Sequence, residues 1–355
     1  RKYGDQRRTE IVEAVGDFRL EELIPDEQVA VTITHQGYVK RTDLESYRKQ
    51  GRGGKGVRGG DTKEGDFLEH LFVVSTHDYL LVFTNRGRVY WTRVYDIPAL
   101  ARTSRGRSMA NLLKMQGTER HRAVLAVRQF EEAFAFFATA KATVKKTPLS
   151  AFRHQRSNGI IAITLDPDDS LINVAMTSGD DEIILGTRGG MAIRFSEQDV
   201  RAMGRTARGV RGMTLKNDDV VVDMAAARPE SSVLTICENG FGKRTDVAEY
   251  RLTRRGGKGV INIKTTARNG RVVAIKAVTD DDELMMITAQ GIMLRTGLSE
   301  LREIGRATQG VRMIRPAEGD RVVAVAKIPA SEDENTASAE ETANTLTEDE
   351  NSAPA

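Results

Sequence analysis

At 355 residues the chain is long enough for two average domains or one large repeat-built fold, and 39% hydrophobic with 29% charged residues is the profile of a soluble protein with a core. Its lone cysteine, Cys237, excludes an internal disulfide and a cysteine-based zinc motif, and no apolar run approaches the roughly 18 residues of a membrane helix. The formal charge of +3 hides a split: residues 331–355 hold eight acidic side chains and no Lys or Arg, leaving 53 basic against 42 acidic side chains in the body.

Residues 1–24 are charged, with Ile11, Val12, Val15, Phe18 and Leu23 at mixed helical spacing, and predict a short helix and linker. The first residues do not form a signal peptide, which together with the single cysteine predicts a cytoplasmic, reducing location and no membrane association.

From residue 25 to 330 one pattern recurs six times: a β-rich run, a glycine turn, a second strand ending in a basic residue, a Gly/Arg loop and a third apolar run. The turn falls at Gly37, Gly87, Ala142, Gly190, Gly240 and Gly291, in steps of 50, 55, 48, 50 and 51 residues. A second glycine follows at Gly56, Gly106, Gly159, Gly209, Gly259 and Gly310, 19 residues on in every copy but the third, where the interval is 17. Two phased glycines per copy imply two backbone sites that need positive φ or close approach. The apolar runs at 29–34, 79–84, 134–139, 182–187, 234–237 and 284–288, and the trailing runs at 271–275 and 321–328, are short and bounded by turn signals, as strands are. About 50 residues and four strands make one propeller blade, so the expected fold is all-β: a six-bladed, propeller-like disk over 25–330. The acidic segment 331–355 has almost no large apolar residues and is expected to be a disordered tail.

The fourth position after the turn residue is Arg41, Trp91, Lys146, Arg194, Arg244 and Arg295, basic in five copies of six, and Lys40, Lys145 and Lys243 precede three of these. One position repeated in every blade becomes a ring, so these side chains are expected to form a cationic rim. The Gly/Arg loops add Arg52, Lys55, Arg102, Arg105, Arg107, Arg205, Arg208, Arg254, Arg255, Lys258 and Arg306. Guanidinium groups and backbone amides of such loops suit phosphate oxygens, and a disk edge suits duplex DNA, whose phosphates stay in register with a repeating perimeter. The expected partner is double-stranded DNA.

No catalytic constellation stands out. His35, His70, His77, His121 and His154 have no metal-ligand spacing, so no metal site is expected. The stretch Gly51, Arg52, Gly53, Gly54, Lys55, Gly56 matches GxGxxG, but Val57, Arg58 and Gly59 follow it where a dinucleotide site needs a helix.

Gln50, Gly51, Arg52, Gly53, Gly54, Lys55 and Gly56 together resemble the gyrase A box, the Gln-Arg-Arg-Gly-Gly-Arg/Lys-Gly loop of the gyrase A C-terminal domain family, with Gly51 standing where the family has arginine. The flanking Gly37-Tyr38-Val39-Lys40 and Asn85-Arg86-Gly87-Arg88-Val89-Tyr90 are similar to that family too, while Thr253, Arg254, Arg255, Gly256, Gly257, Lys258 and Gly259 form a second box-like loop that keeps both arginines. The resemblance implies a β-pinwheel that wraps DNA with positive handedness, within an A2B2 assembly with the rest of gyrase A and the gyrase B subunit. It also implies that ATP, Mg and the cleaving tyrosine belong to other parts of that enzyme, and that this chain holds no cofactor and no catalytic residue. The wrapped DNA places the assembly at the nucleoid. The alternatives are the related topoisomerase IV subunit, which lacks the box, and a protein-docking propeller, which would need aromatic anchors where these loops carry Gly and Arg.

Overall fold

The computed structural model describes residues 23–43, 66, 68–101, 103–228, 230–290, 292–299 and 301–328. Almost all of the expected helix and linker at 1–24, the whole of the tail at 331–355, the box-like residues Gln50, Gly51, Arg52, Gly53, Gly54, Lys55 and Gly56, and Arg102 lie outside the described residues.

Six antiparallel sheets follow one another along the chain. Blade 1 contains β1 (Gln28–Thr34), β2 (Tyr38–Asp43) and β3 (Leu68–Ser75). Blade 2 follows with β4 (Tyr79–Thr84), β5 (Arg88–Arg93) and, after the two-residue strand β6 (Arg107–Ser108), β7 (His121–Val127). The same scheme gives β8 (Phe134–Thr139), β9 (Thr143–Pro148) and β11 (Leu171–Thr177) in blade 3, then β12 (Glu182–Thr187), β13 (Met191–Ser196) and β15 (Val221–Ala227) in blade 4. Blade 5 contains β16 (Ser232–Cys237), β17 (Phe241–Asp246) and β19 (Val272–Val278), and blade 6 β20 (Glu283–Thr288), β21 (Met293–Gly297) and β23 (Val322–Ile328).

The fourth strand of a blade comes from the next repeat. β6 pairs with β2 of blade 1, β10 (Ile160–Ile161) with β5, β14 (Val210–Arg211) with β9, β18 (Val260–Ile261) with β13 and β22 (Val311–Arg312) with β17. The third long strands β11, β15, β19 and β23 pack in succession, and β23 packs on β3, so blade 6 meets blade 1 and the ring closes around these strands. The borrowed two-residue strands therefore lie on the outer edge.

The first strand of each blade is buried along most of its length because both of its faces are covered. In β4, Leu81 and Phe83 pack toward blade 3 while Leu80 and Val82 pack toward blade 1; in β12, Ile183 and Leu185 face blade 3 and Ile184 faces blade 5. Alternation of side chains along a strand thus feeds two interblade cores from one sequence run. Each such side chain contributes about 1.5–3 kcal/mol on burial, a gain no blade could make alone. Cys237 belongs to the core between blades 4 and 5, where burial pushes its thiol up to about 12, as inert as its apolar surroundings suggest.

The second phased glycine is explained by the borrowed strand. Gly259 has φ +71°, and a Cβ there would lie 2.3 Å from the Ala192 carbonyl oxygen of the blade onto which β18 docks. Gly209, at φ +107°, would meet the Val144 oxygen at 2.5 Å in the same way. The turn position tolerates more: Ala142 takes φ +63° without a glycine.

Candidate nucleic-acid interface

The side chains expected to form a cationic rim are for the most part inside the molecule. Lys145 and Lys243 are fully buried, Lys40, Lys146 and Arg244 are 4%, 7% and 7% exposed, and Arg194 is half-buried. The reason is the loop that follows the next blade's second strand, which runs back across this position: Arg41 bridges Ala99, Lys146 bridges Ala202, Arg194 bridges Leu252 and Arg244 bridges Glu303. A long cation at this position is covered rather than presented.

These residues hold the loops instead. Lys40 Nζ donates to the Ser104 carbonyl at 2.8 Å, Lys145 Nζ to Ala162 and, at 2.5 Å, to Arg205, and Lys243 Nζ to Gly305 at 3.3 Å. They alternate around the ring with Tyr90, Ile193 and Leu294; blades 1, 3 and 5 hold the following loop through an ammonium, whereas in blades 2 and 4 the Tyr90 ring lies against Gly159 and the Ile193 side chain against Gly257. At the neighbouring position Arg194 donates to the carbonyls of Val247 and Tyr250 at 2.8 and 2.9 Å and pairs with Glu182, Arg244 bonds Ser232 Oγ at 2.9 Å and pairs with Asp280, and Trp91 Nε1 donates to Phe152 at 2.9 Å. Lys146 Nζ lies 3.7 Å from the buried carboxylate of Glu197. Only Arg295 of this set is exposed, at 60% of its side chain, and it pairs with Glu283 of its own blade. Arg41 is half-buried, with an Nε that faces no partner among the described residues.

Burial pushes the Lys145 ammonium down to about 7, with the Arg205 guanidinium adding to it, and burial pushes Lys243 to about 7 with help from Arg306. The unfolded chain keeps both protonated up to about 10.5, so it binds more protons than the fold between those limits, and stability rises as pH rises from about 7 toward 10.5. Denaturant midpoints measured from pH 7 to 9 should climb in the wild type. They should lose most of that slope in the Lys145→Met, Lys243→Met variant, which replaces buried charge with apolar volume.

The outer edge carries its cations on the loops that dock the borrowed strands. Arg105 and Arg107 lie exposed on blade 1, Arg156 on blade 2, Arg208 and Arg211 on blade 3, Arg254 and Lys258 on blade 4, and Arg312 on blade 5. Arg208 shares an ion pair with Asp166 at 2.8 Å, and Arg312 stacks 4.6 Å from the Phe241 ring centroid, where the guanidinium stays open to solvent on its other face. Arg156, Arg211 and Arg312 were missed in the sequence reading. The third loop is two residues shorter, which moves Arg156, and the position of Arg211 and Arg312 is basic in only one further copy, at Arg58, with Ser108, Ile161 and Ile261 in the other three.

Not every loop arginine faces outward. Arg255 donates from Nε to the Asp199 carbonyl at 2.9 Å and from a terminal nitrogen to Arg211 at 3.1 Å, and Arg306 donates to the Ile261 carbonyl at 3.2 Å. Each thus ties its loop to the end of the preceding borrowed strand. Arg205 is half-buried. The loop at 253–259 is further fixed by Gly256 N–H on Gly212 O at 2.6 Å and by Thr214 N–H on Gly257 O at 2.8 Å, so Arg254 and Lys258 project from a rigid backbone.

The blade-by-blade arrangement is that of a known family, whose model, described as the DNA gyrase C-terminal domain β-propeller, matches residues 29–75, 78–114, 134–178, 181–228, 231–279 and 282–329. The chain belongs to this family. It is 49% identical to the DNA gyrase A protein of Salmonella typhimurium over 328 residues, 48% to that of Escherichia coli K12 over 334 and 43% to that of Staphylococcus aureus over 353. These matches take in 92%, 94% and 98% of the chain but 37%, 38% and 40% of the relatives, so the chain spans well under half their length. Among solved structures it is similar to a C-terminal domain of DNA topoisomerase IV, at 29% identity and TM-score 0.75 over 90% of this chain and 99% of that one. It is also similar to a DNA gyrase A C-terminal domain, at 28% and 0.71 over 85% and 100%.

No helix among the described residues of this gyrase-family domain is long and apolar enough to cross a membrane. Of its histidines, the structure brings together three that the sequence spacing kept apart: His35 and His121 both meet the Glu69 carboxylate, and His70 lies beside them. The linear spacing of the histidines gave no sign of this grouping, because β3 and β7 are neighbours in space but about fifty residues apart in the chain.

Proposed function

We propose that this domain binds duplex DNA along its outer edge and wraps it with positive handedness, so that its parent gyrase introduces negative supercoils in an ATP-dependent reaction. The observation that carries the reading is the recurrence of exposed cations on the docking loops of blades 1 to 5. A bend of 40–90° over 20–30 base pairs costs on the order of 1–6 kcal/mol, and contacts spread over successive blades offset that cost where a single patch could not. In this reading the box-like loop at 50–56 contributes Arg52 and Lys55, and Arg102 adds to the same edge. The domain works in an A2B2 assembly with the rest of gyrase A and the gyrase B subunit, in the cytoplasm at the nucleoid. ATP, Mg and the cleaving tyrosine are supplied by other parts of that assembly. The match to the gyrase C-terminal domain model and the 43–49% identity to gyrase A proteins favour gyrase as the parent, while the two solved structures, at 29% and 28% identity, do not separate gyrase from topoisomerase IV.

The test is ligation of nicked circular plasmid with increasing amounts of the domain, followed by removal of protein and measurement of linking number. A shift to positive values that grows with protein is expected. Binding without a shift would reduce the edge to a holding surface.

A further inference from the structure

At the seam between blades 1 and 2, four side chains from two strands and a turn converge. His35 sits in the turn between β1 and β2, Glu69 and His70 lie on β3, and His121 opens β7. His121 Nε2 is 3.2 Å from Glu69 Oε2, and His35 Nδ1 is 3.4 Å from the same oxygen. Donor atoms of Glu69, His70 and His121 all lie within 4.8 Å of one another.

The independent observation is His70. Its Nε2 is sealed from solvent yet has no hydrogen-bond partner among the described residues, a state that buried polar atoms rarely keep without a further partner. The ring is oriented by stacking on Phe72, centroids 5.7 Å apart, and by an edge contact with His121 at 6.3 Å.

We propose that His35, Glu69, His70 and His121 form a binding site for a divalent transition metal of the zinc class, joining blade 1 to blade 2. Three imidazoles and one carboxylate are a borderline-soft donor set that suits Zn²⁺ and not the all-oxygen preference of Ca²⁺ or Mg²⁺. Tetrahedral Zn²⁺ with bonds of about 2.0–2.1 Å places its donors roughly 3.3 Å apart. The two histidine–carboxylate distances already have that separation, and the His70 donor lies within 4.8 Å of those of Glu69 and His121. A bound ion would replace the two hydrogen bonds to Glu69 and would satisfy His70. It would also fix the strand on which the chain returns from residues 44–65, since Asp66, just ahead of β3, already accepts from Gln36 N–H at 2.9 Å.

The test uses the untagged 355-residue chain, stripped with a chelator and titrated with ZnCl₂, with bound metal measured after dialysis. Co²⁺ serves as a visible-absorbing probe of coordination. One equivalent per chain is expected, with the melting temperature rising on Zn²⁺ addition and an intense tetrahedral Co²⁺ band. H35A, on an exposed turn where folding is safe, should weaken binding at least tenfold and shift the Co²⁺ band, and H70Q should weaken it further. H77A and H154A should bind as the wild type does. Failure of the wild type to retain an equivalent of Zn²⁺, or retention unaffected by H35A and H70Q, would overturn the proposal.

Discussion

If the domain binds DNA as proposed, replacing Arg208, Arg211, Arg254 and Lys258 together with glutamine is expected to lower the affinity for a 40-base-pair duplex by about 100-fold near physiological salt. It is also expected to reduce the slope of log K against log salt by about 3 to 4. The argument is one of counterions. Each cation that neutralises a phosphate releases about 0.9 of a condensed ion, so the slope counts contacts whereas a single affinity does not. Arg208 already spends part of its charge on Asp166 at 2.8 Å, which places the expected slope change at the lower end. Anisotropy titrations from 50 to 300 mM KCl give both quantities. An unchanged slope would show that DNA runs elsewhere on the disk. The contrasting variant is Arg255→Gln: because Arg255 spends its donors on Asp199 and Arg211 carbonyls, its loss should loosen the loop and lower stability more than it alters the salt slope.

The second large effect is on stability. Gly259→Ala places a methyl 2.3 Å from the Ala192 oxygen at a residue with φ +71°, a contact with backbone that no rotamer can relieve. The left-handed conformation costs an alanine about 1–2 kcal/mol and overpacking about 1–3 more, so a loss of roughly 2 to 5 kcal/mol is expected. Calorimetry of the domain should show it as a melting temperature lower by roughly 3 to 8 °C. Gly204→Ala, where a Cβ meets nothing within 4 Å and φ is not in the left-handed range, is the matched control and should cost little. If both variants melt alike, the borrowed strand is not clamped as its geometry indicates.

The six-bladed ring was legible in the sequence because the period of about 50 residues is written in glycines, and β-branched runs of five to eight residues sit at fixed phases from them. What the sequence did not reveal is which side of a strand its neighbour covers. Lys145 and Arg205 are both basic and both recur in phase with the turn, yet one is fully buried and donates to the carbonyl of the other. A signal was present at Lys145: the equivalent positions hold Tyr90, Ile193 and Leu294, an apolar company that a solvent-facing lysine would not keep. For Arg255 and Arg306 no comparable signal exists, since a guanidinium in a glycine loop reads the same whether it meets a phosphate or a neighbouring carbonyl. The His35, Glu69, His70 and His121 cluster was hidden for a different reason, because the packing of blade 2 on blade 1 brings together residues about fifty positions apart that no local spacing rule connects.

The borrowed outer strand has a bearing on how the chain matures. β6 reaches the ribosome's exit only about thirty residues after β3 has completed the three long strands of blade 1, and the same lag recurs at blades 2 to 5. At the usual ~5–20 residues per second, each of these five blades spends about 2–6 s with the free edge of its second strand open. That edge is a template for any other extended chain. The buried lysines cannot yet clamp a loop that has not been made, so during this interval blades 1, 3 and 5 expose an ammonium at the open edge, the kind of inward charge that discourages strand addition by the wrong partner. The same side chain that anchors the finished ring thus guards the unfinished one.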